Sequence, residues 1–225
     1  MTTNFFTKKR WLYIGLSQLL ACFVLICLLY SVYLNQVSTV WVGKSFYFLV
    51  SENEHVEVAT HEAHLDGGAG YLLEHDGKEY IAWAVYLNDA DGKAVQTTVE
   101  EKTKILKKDV GYLCFKGKKK KEKSVYQGAL NTLYGCIEVL SQGISRLDHG
   151  GTQQACKRIL SVLERQFSYL ATTYQNSYPA FSNVCANVHK QLQNILNDTV
   201  YGKDLRYVLC GVSEEYIRLS ADFSI

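Results

Sequence analysis

The sequence predicts an α+β protein with an apolar helix ahead of a small mixed unit and an all-α unit behind it. Three observations predict this. Residues 11–34 carry no charge, residues 44–115 switch between strand-like and helix-like patterning, and from Ser124 onward apolar residues recur every three or four positions.

The apolar run is 24 residues long, close to what crosses about 30 Å of hydrocarbon at about 1.5 Å per residue. A cleaved signal peptide has a shorter apolar core followed by a small-x-small site, and Tyr33-Leu34-Asn35-Gln36-Val37 offers none. We therefore expect a retained single transmembrane helix at 11–34, with Trp11, Tyr13, Tyr30 and Tyr33 at interfacial positions. Lys8, Lys9 and Arg10 are the only charges before it. The positive-inside rule then puts a short tail, residues 1–10, in the cytoplasm and the rest of the chain outside it.

Composition narrows the function. With 48% hydrophobic residues, 20% charged residues, a single proline and a net charge of +2, the chain is neither disordered nor collagen-like, and it is no polybasic nucleic-acid coat. Residues 44–114 hold 7 basic and 13 acidic side chains, whereas 115–225 hold 14 and 9. Such a shift marks a domain boundary. Cys22 and Cys27 fall in the apolar run; Cys114, Cys136, Cys156, Cys185 and Cys210 follow at wide spacings. An odd number at such spacings predicts free thiols buried as small apolar residues, with helix-linking disulfides as the alternative.

Within 44–115 the elements follow in order. Residues 44–51 are aromatic and β-branched and read as a strand. Val56, Ala59 and Ala63 keep helical spacing until Asp66-Gly67-Gly68. Two apolar runs, 69–74 and 80–87, are joined through Asp76-Gly77, a strong hairpin signal. Asn88 or Asp89 caps a second helix through Ala90, Ala94 and Val95, and 104–115 ends in a last strand. The order strand, helix, strand, strand, helix, strand is the split βαβ plan, which puts both helices on one face of a four-stranded antiparallel sheet.

Phe46-Tyr47-Phe48-Leu49-Val50 in the first strand, Gly67-Gly68-Ala69-Gly70-Tyr71 entering the second, Tyr80-Ile81-Ala82-Trp83-Ala84-Val85-Tyr86 in the third, and Asn88-Asp89-Ala90 opening the second helix carry a resemblance. The segment resembles a SPOR domain, the sporulation-related bacterial envelope module that binds peptidoglycan glycan strands stripped of their stem peptides. The resemblance implies a βαββαβ domain held outside a bacterial cell membrane by a single-pass anchor, with a part in cell division or sporulation.

Residues 116–123 hold six lysines and read as a solvated, self-repelling linker. A sharper reading is contact with an anionic wall polymer or with lipid headgroups. The predicted side of the membrane excludes nucleic acid. Four apolar stripes then fill 124–225: one through Leu133, Ile137, Leu140 and Ile144, a second through Ile159, Leu163 and Phe167, a third through Val184, Val188 and Leu192, and a fourth through Leu205, Val208, Val212 and Tyr216. Thr152 caps the second and Pro179 falls in the loop before the third. Short connections predict an up-down helical bundle.

The motifs for chemistry are weak. His61-Glu62-Ala63-His64 spaces its histidines by three residues where the zinc-protease signature needs four. Gly67-Gly68-Ala69-Gly70 lacks the Lys-Ser/Thr ending of a phosphate loop, and no nucleophile elbow is present. We expect no catalytic residues, no metal and no cofactor. Tyr47, Tyr71, Tyr80, Trp83 and Tyr86 are the candidate ligand residues, because aromatic rings on an open sheet face stack on sugars. The expected function is non-catalytic glycan binding at the cell envelope. The alternative is an extracytoplasmic protein-interaction scaffold without glycan binding, which docks a protein partner or self-associates through the bundle.

Overall fold

A computed structural model describes residues 18, 22–29, 39–53, 55–99, 102–115 and 118–223. Strand β1 (Thr39–Ser51), helix α1 (Val56–Leu65), strands β2 (Tyr71–His75) and β3 (Lys78–Tyr86), helix α2 (Asp89–Gln96) and strand β4 (Thr103–Cys114) come first. Helices α3 (Lys120–Asp148), α4 (Gln153–Tyr174), α5 (Pro179–Leu196) and α6 (Gly202–Ala221) follow. The sheet is antiparallel in the order β2-β3-β1-β4.

Local sequence accounts for the boundaries. Asp76 (φ 52°) and Gly77 (φ 71°) turn the chain between β2 and β3 with two consecutive positive φ angles, the geometry a two-residue hairpin needs. The Asn88 side chain accepts from the Asp91 amide at 2.8 Å and starts α2. Thr152 does the same for α4 through the Ala155 amide. Pro179 occupies the first turn of α5, where its missing N–H costs nothing.

The sheet has helices on both faces. Leu49, Ile81 and Trp83 pack with Ala59 and Ala63 of α1 in a small cluster that Val95 and Ile105 border. The opposite face presents Phe46, Phe48, Val50, Leu73, Tyr80 and Ala82, which share one continuous core with α3 to α6. Helix α6 lies directly against β2, β3 and β4, with α3 beside it. Phe46 joins the layers, its ring centroid 5.5 Å from that of Tyr216 and 6.0 Å from that of Tyr134. In the helical layer α3 packs on α4 and α6, and α5 on the same two.

Three expectations are corrected. Among the described residues no helix is long and apolar enough to cross a membrane, so the α+β class stands without the transmembrane helix expected at 11–34. Of that stretch only Gln18 and 22–29 are described, as exposed helix. The remainder of 11–34 and the tail 1–10 lie outside the described residues. Second, the sheet face expected to be open is filled, because its aromatic and aliphatic side chains form the floor on which α3 and α6 pack. Third, the lysine segment 116–123 is not all linker: Lys120, Lys121 and Lys123 stand in the first turns of α3, where the Glu122 carboxylate accepts from the Lys119 amide at 2.9 Å. Residues 116 and 117 lie outside the described set.

All seven cysteines are free, with Cys136, Cys156, Cys185 and Cys210 buried. Burial pushes the thiols of Cys136 and Cys185 up, to about 11 and about 12.

Candidate functional site

The five candidate aromatic residues divide between the two faces of the sheet. Tyr71 and Tyr80 lie on the side of α3 and α6, whereas Tyr86 and Trp83 border the cluster beneath α1. Tyr47 pairs with Tyr86 across β1 and β3 and comes close to Gly92 of α2.

Tyr80 is buried, with the Lys104 ammonium 4.4 Å from its ring centre. Tyr71 donates from its hydroxyl to the Glu214 carboxylate of α6 at 2.7 Å and sets its ring edge-on to Tyr207. Burial first, then the bond to Glu214, raises its phenol far above the ordinary range. Tyr71 is half-buried and Tyr80 buried, and both are engaged within the fold.

Trp83 and Tyr86 come together at a cleft of about 880 Å³. Trp83 is held by a 3.0 Å hydrogen bond from its indole N–H to the Ser51 hydroxyl. The register of β1 against β3 shifts between Leu49 and Val50. This shift leaves Trp83 as the extra residue and aligns it with Tyr86, although strict alternation would part them. Gly68 makes room for the indole: a Cβ there would stand 2.7 Å from Trp83 Cε3.

The cleft rim is polar and comes from both halves of the chain. Asp66 ends α1, Asp91 sits in α2, Asp148 closes α3 and Arg206 reaches in from α6. Arg206 donates to the Gly67 carbonyl at 2.9 Å and to Asp148 Oδ1 at 2.6 Å. His64 Nε2 stands 3.3 Å from Asp204 Oδ1, a second tie between α1 and α6. Burial raises the Tyr86 phenol to about 12; the nearby Arg206 charge opposes this and Asp148 and Asp91 add to it. An apolar floor with a few convergent polar groups suits a ligand or a partner side chain.

The histidine-rich stretch 61–64 brings no metal centre together. Among the described residues no group of three or more His, Cys, Asp or Glu could hold a metal ion, and His64 is engaged with Asp204 and the Ala69 carbonyl.

Sequence reasoning missed an exposed aromatic pair at one end of the sheet. Trp41 and Tyr112 face each other across β1 and β4 with ring centroids 4.6 Å apart. Trp41 precedes the expected first strand, and its pairing depends on a register shift between Trp41 and Lys44 that local patterning does not show. Comparison with known proteins finds no matching family model, no curated relative and no matching solved structure.

Proposed function

We propose that this chain is a non-catalytic interaction scaffold of the bacterial envelope, with a sheet of SPOR-like order that has given up glycan binding on its broad face. One observation carries the reading. The face free of α1 and α2, where rings would meet a sugar, holds Phe46, Phe48, Val50 and Tyr80 buried beneath α3 and α6. The cleft around Tyr86 and Arg206 is then the surface that receives a protein segment, with carboxylates to take donors and the half-buried Tyr86 and Val95 to take apolar side chains. The envelope setting rests on the resemblance of 44–115 alone.

A second reading keeps glycan binding and moves it into that cleft. It is favoured by Trp83 and Tyr86 standing there with Asp66, Asp91 and Asp148, a mixture of rings and planar acceptors that suits sugar hydroxyls.

Two measurements separate the readings. A photo-cross-linking amino acid at the exposed rim residue Thr98 of the full chain, expressed in cells, is expected to give a discrete protein adduct. Co-sedimentation with whole and amidase-stripped peptidoglycan is expected to show equal, low retention. Retention on the stripped wall that is lost in Tyr86→Ala replaces the first reading with the second, and absence of any adduct overturns the scaffold.

A further inference from the structure

We propose that the end of the molecule carrying Trp41, Tyr112 and the lysines of 118–123 docks on an anionic lipid surface.

The aromatic pair is exposed and held in place. Trp41 is 63% exposed and Tyr112 57%, with the rings tilted 53° against each other. The Trp41 indole lies on bare backbone: a Cβ at Gly43 would stand 2.7 Å from its Nε1, and one at Gly111 3.3 Å from its Cζ3. Gly43 also sits at φ +59°, inside the register shift that turns Trp41 outward. A large apolar ring fixed towards water loses the stabilisation that burial would give it. Paired Trp and Tyr rings are instead favoured at the depth of bilayer headgroups.

The lysines begin beside this pair. Thr39 and Cys114 close the β1–β4 ribbon, Phe115 follows, and the Lys118 amide donates to the Phe115 carbonyl at 3.2 Å. Lys118, Lys119, Lys120 and Lys121 are exposed, and no ion pair among the described residues engages any lysine of 118–123. From Val110 to Asn131 the only acid is Glu122, and Asp222 is the acid that α6 brings to this end, next to Phe223, whose carbonyl accepts from the Cys114 amide. The lysines cluster at the positive end of the α3 dipole, where added cations are unfavourable unless an anion faces them.

The two features select one partner. A soluble polyanion would satisfy the ammonium groups and leave Trp41 and Tyr112 without a role. A headgroup layer takes both, with phosphates for the lysines and an amphipathic interface for the rings. The chain enters the fold at this same end, five residues after the uncharged stretch 11–34. The proposal is independent of the scaffold reading, which concerns the cleft.

The test presents the full chain to vesicles of phosphatidylcholine alone or with phosphatidylglycerol added. The readout is quenching of Trp41 by a headgroup-labelled nitroxide lipid in a Trp11→Phe background, after subtraction of the same signal from the Trp11→Phe/Trp41→Phe variant. Quenching about fivefold greater on the anionic vesicles is expected, falling to the neutral level at high salt and when Lys118, Lys119, Lys120, Lys121 and Lys123 are all changed to Gln. The salt arm uses the unaltered lysines and stands if that variant fails to fold. Equal quenching on both lipids, or no effect of salt, overturns the proposal. So does protection of the lysines from acetylation by soluble polyphosphate with no lipid-dependent quenching, which assigns them to an anionic polymer.

Discussion

The hydroxyl of Tyr71 in β2 donates to Glu214 of α6 at 2.7 Å, joining residues 143 apart in the chain. Lys108 of β4 lies 3.9 Å from the other oxygen of the same carboxylate. With Arg206 on the Gly67 carbonyl and Asp204 on His64, these contacts fix α6 across the sheet in one register and one direction. The apolar contacts beneath are non-directional and would tolerate a shift.

Removing the Tyr71 hydroxyl leaves the half-buried carboxylate short of a donor. Tyr71→Phe is expected to cost about 1–2 kcal/mol in urea unfolding. In a double-mutant cycle with Glu214→Gln the two changes should fall short of additivity by about 1 kcal/mol. Full additivity would show that the bond contributes nothing.

Because Phe46 belongs to the sheet and packs on Tyr134 and Tyr216 of the helices, the two layers should melt together. Phe46→Ala is expected to cost about 3–5 kcal/mol. Circular dichroism and tryptophan fluorescence should still report coincident transitions. Separate transitions would mean that the layers fold independently.

Alkali should destabilise the chain well before its buried groups ionise in place. Burial holds Tyr86 at about 12, Cys136 at about 11 and Cys185 at about 12, against ordinary values of 10.0 for the phenol and 9.0 for the thiols. The unfolded chain releases these protons first, so stability is intact below about pH 9, falls as pH rises from there, and stops falling only above the folded values. Urea midpoints measured between about pH 8 and about pH 11 should decline steadily, and a flat profile would contradict the burial of these groups.

The thiols offer a direct count. Cys136, Cys156, Cys185 and Cys210 are buried, so Ellman's reagent should leave these four unmodified in the folded chain and reach them in urea. Their rapid modification without denaturant would show that the helical layer opens.

Gly68→Ala forces a methyl into the Trp83 ring and towards the Ala63 carbonyl, 2.9 Å away. A loss of about 1–3 kcal/mol is expected, accompanied by a shift in Trp83 fluorescence. Gly135, where a Cβ would meet nothing within 4 Å, is the control. Gly135→Ala should stabilise slightly, by reducing the freedom of the unfolded chain.

Elements governed by local chemistry were legible in the sequence: the Asp76-Gly77 turn, the Asn88 and Thr152 caps, and the helix stop before Gly67 each depend on a few neighbouring residues. The allocation of aromatic rings to faces was not. Tyr80 and Tyr86 share a parity, yet the irregularity opposite Leu49 and Val50 sends them to opposite sides. Trp41 was invisible for a related reason, since its partner Tyr112 is distant in sequence and the shift at Gly43 leaves no periodic trace. The covering of the sheet by α6 is written in two apolar patterns that look self-sufficient when each is read alone: a strand with one apolar face, and a helix with an apolar stripe.

The Phe46–Tyr216 contact also sets an order of events during synthesis. Phe46 leaves the ribosome before α6 exists, so the part of the sheet's apolar face that α6 covers stays bare while α3, α4 and α5 are made. A ribosome stalled before α6 would therefore display an incompletely covered apolar face.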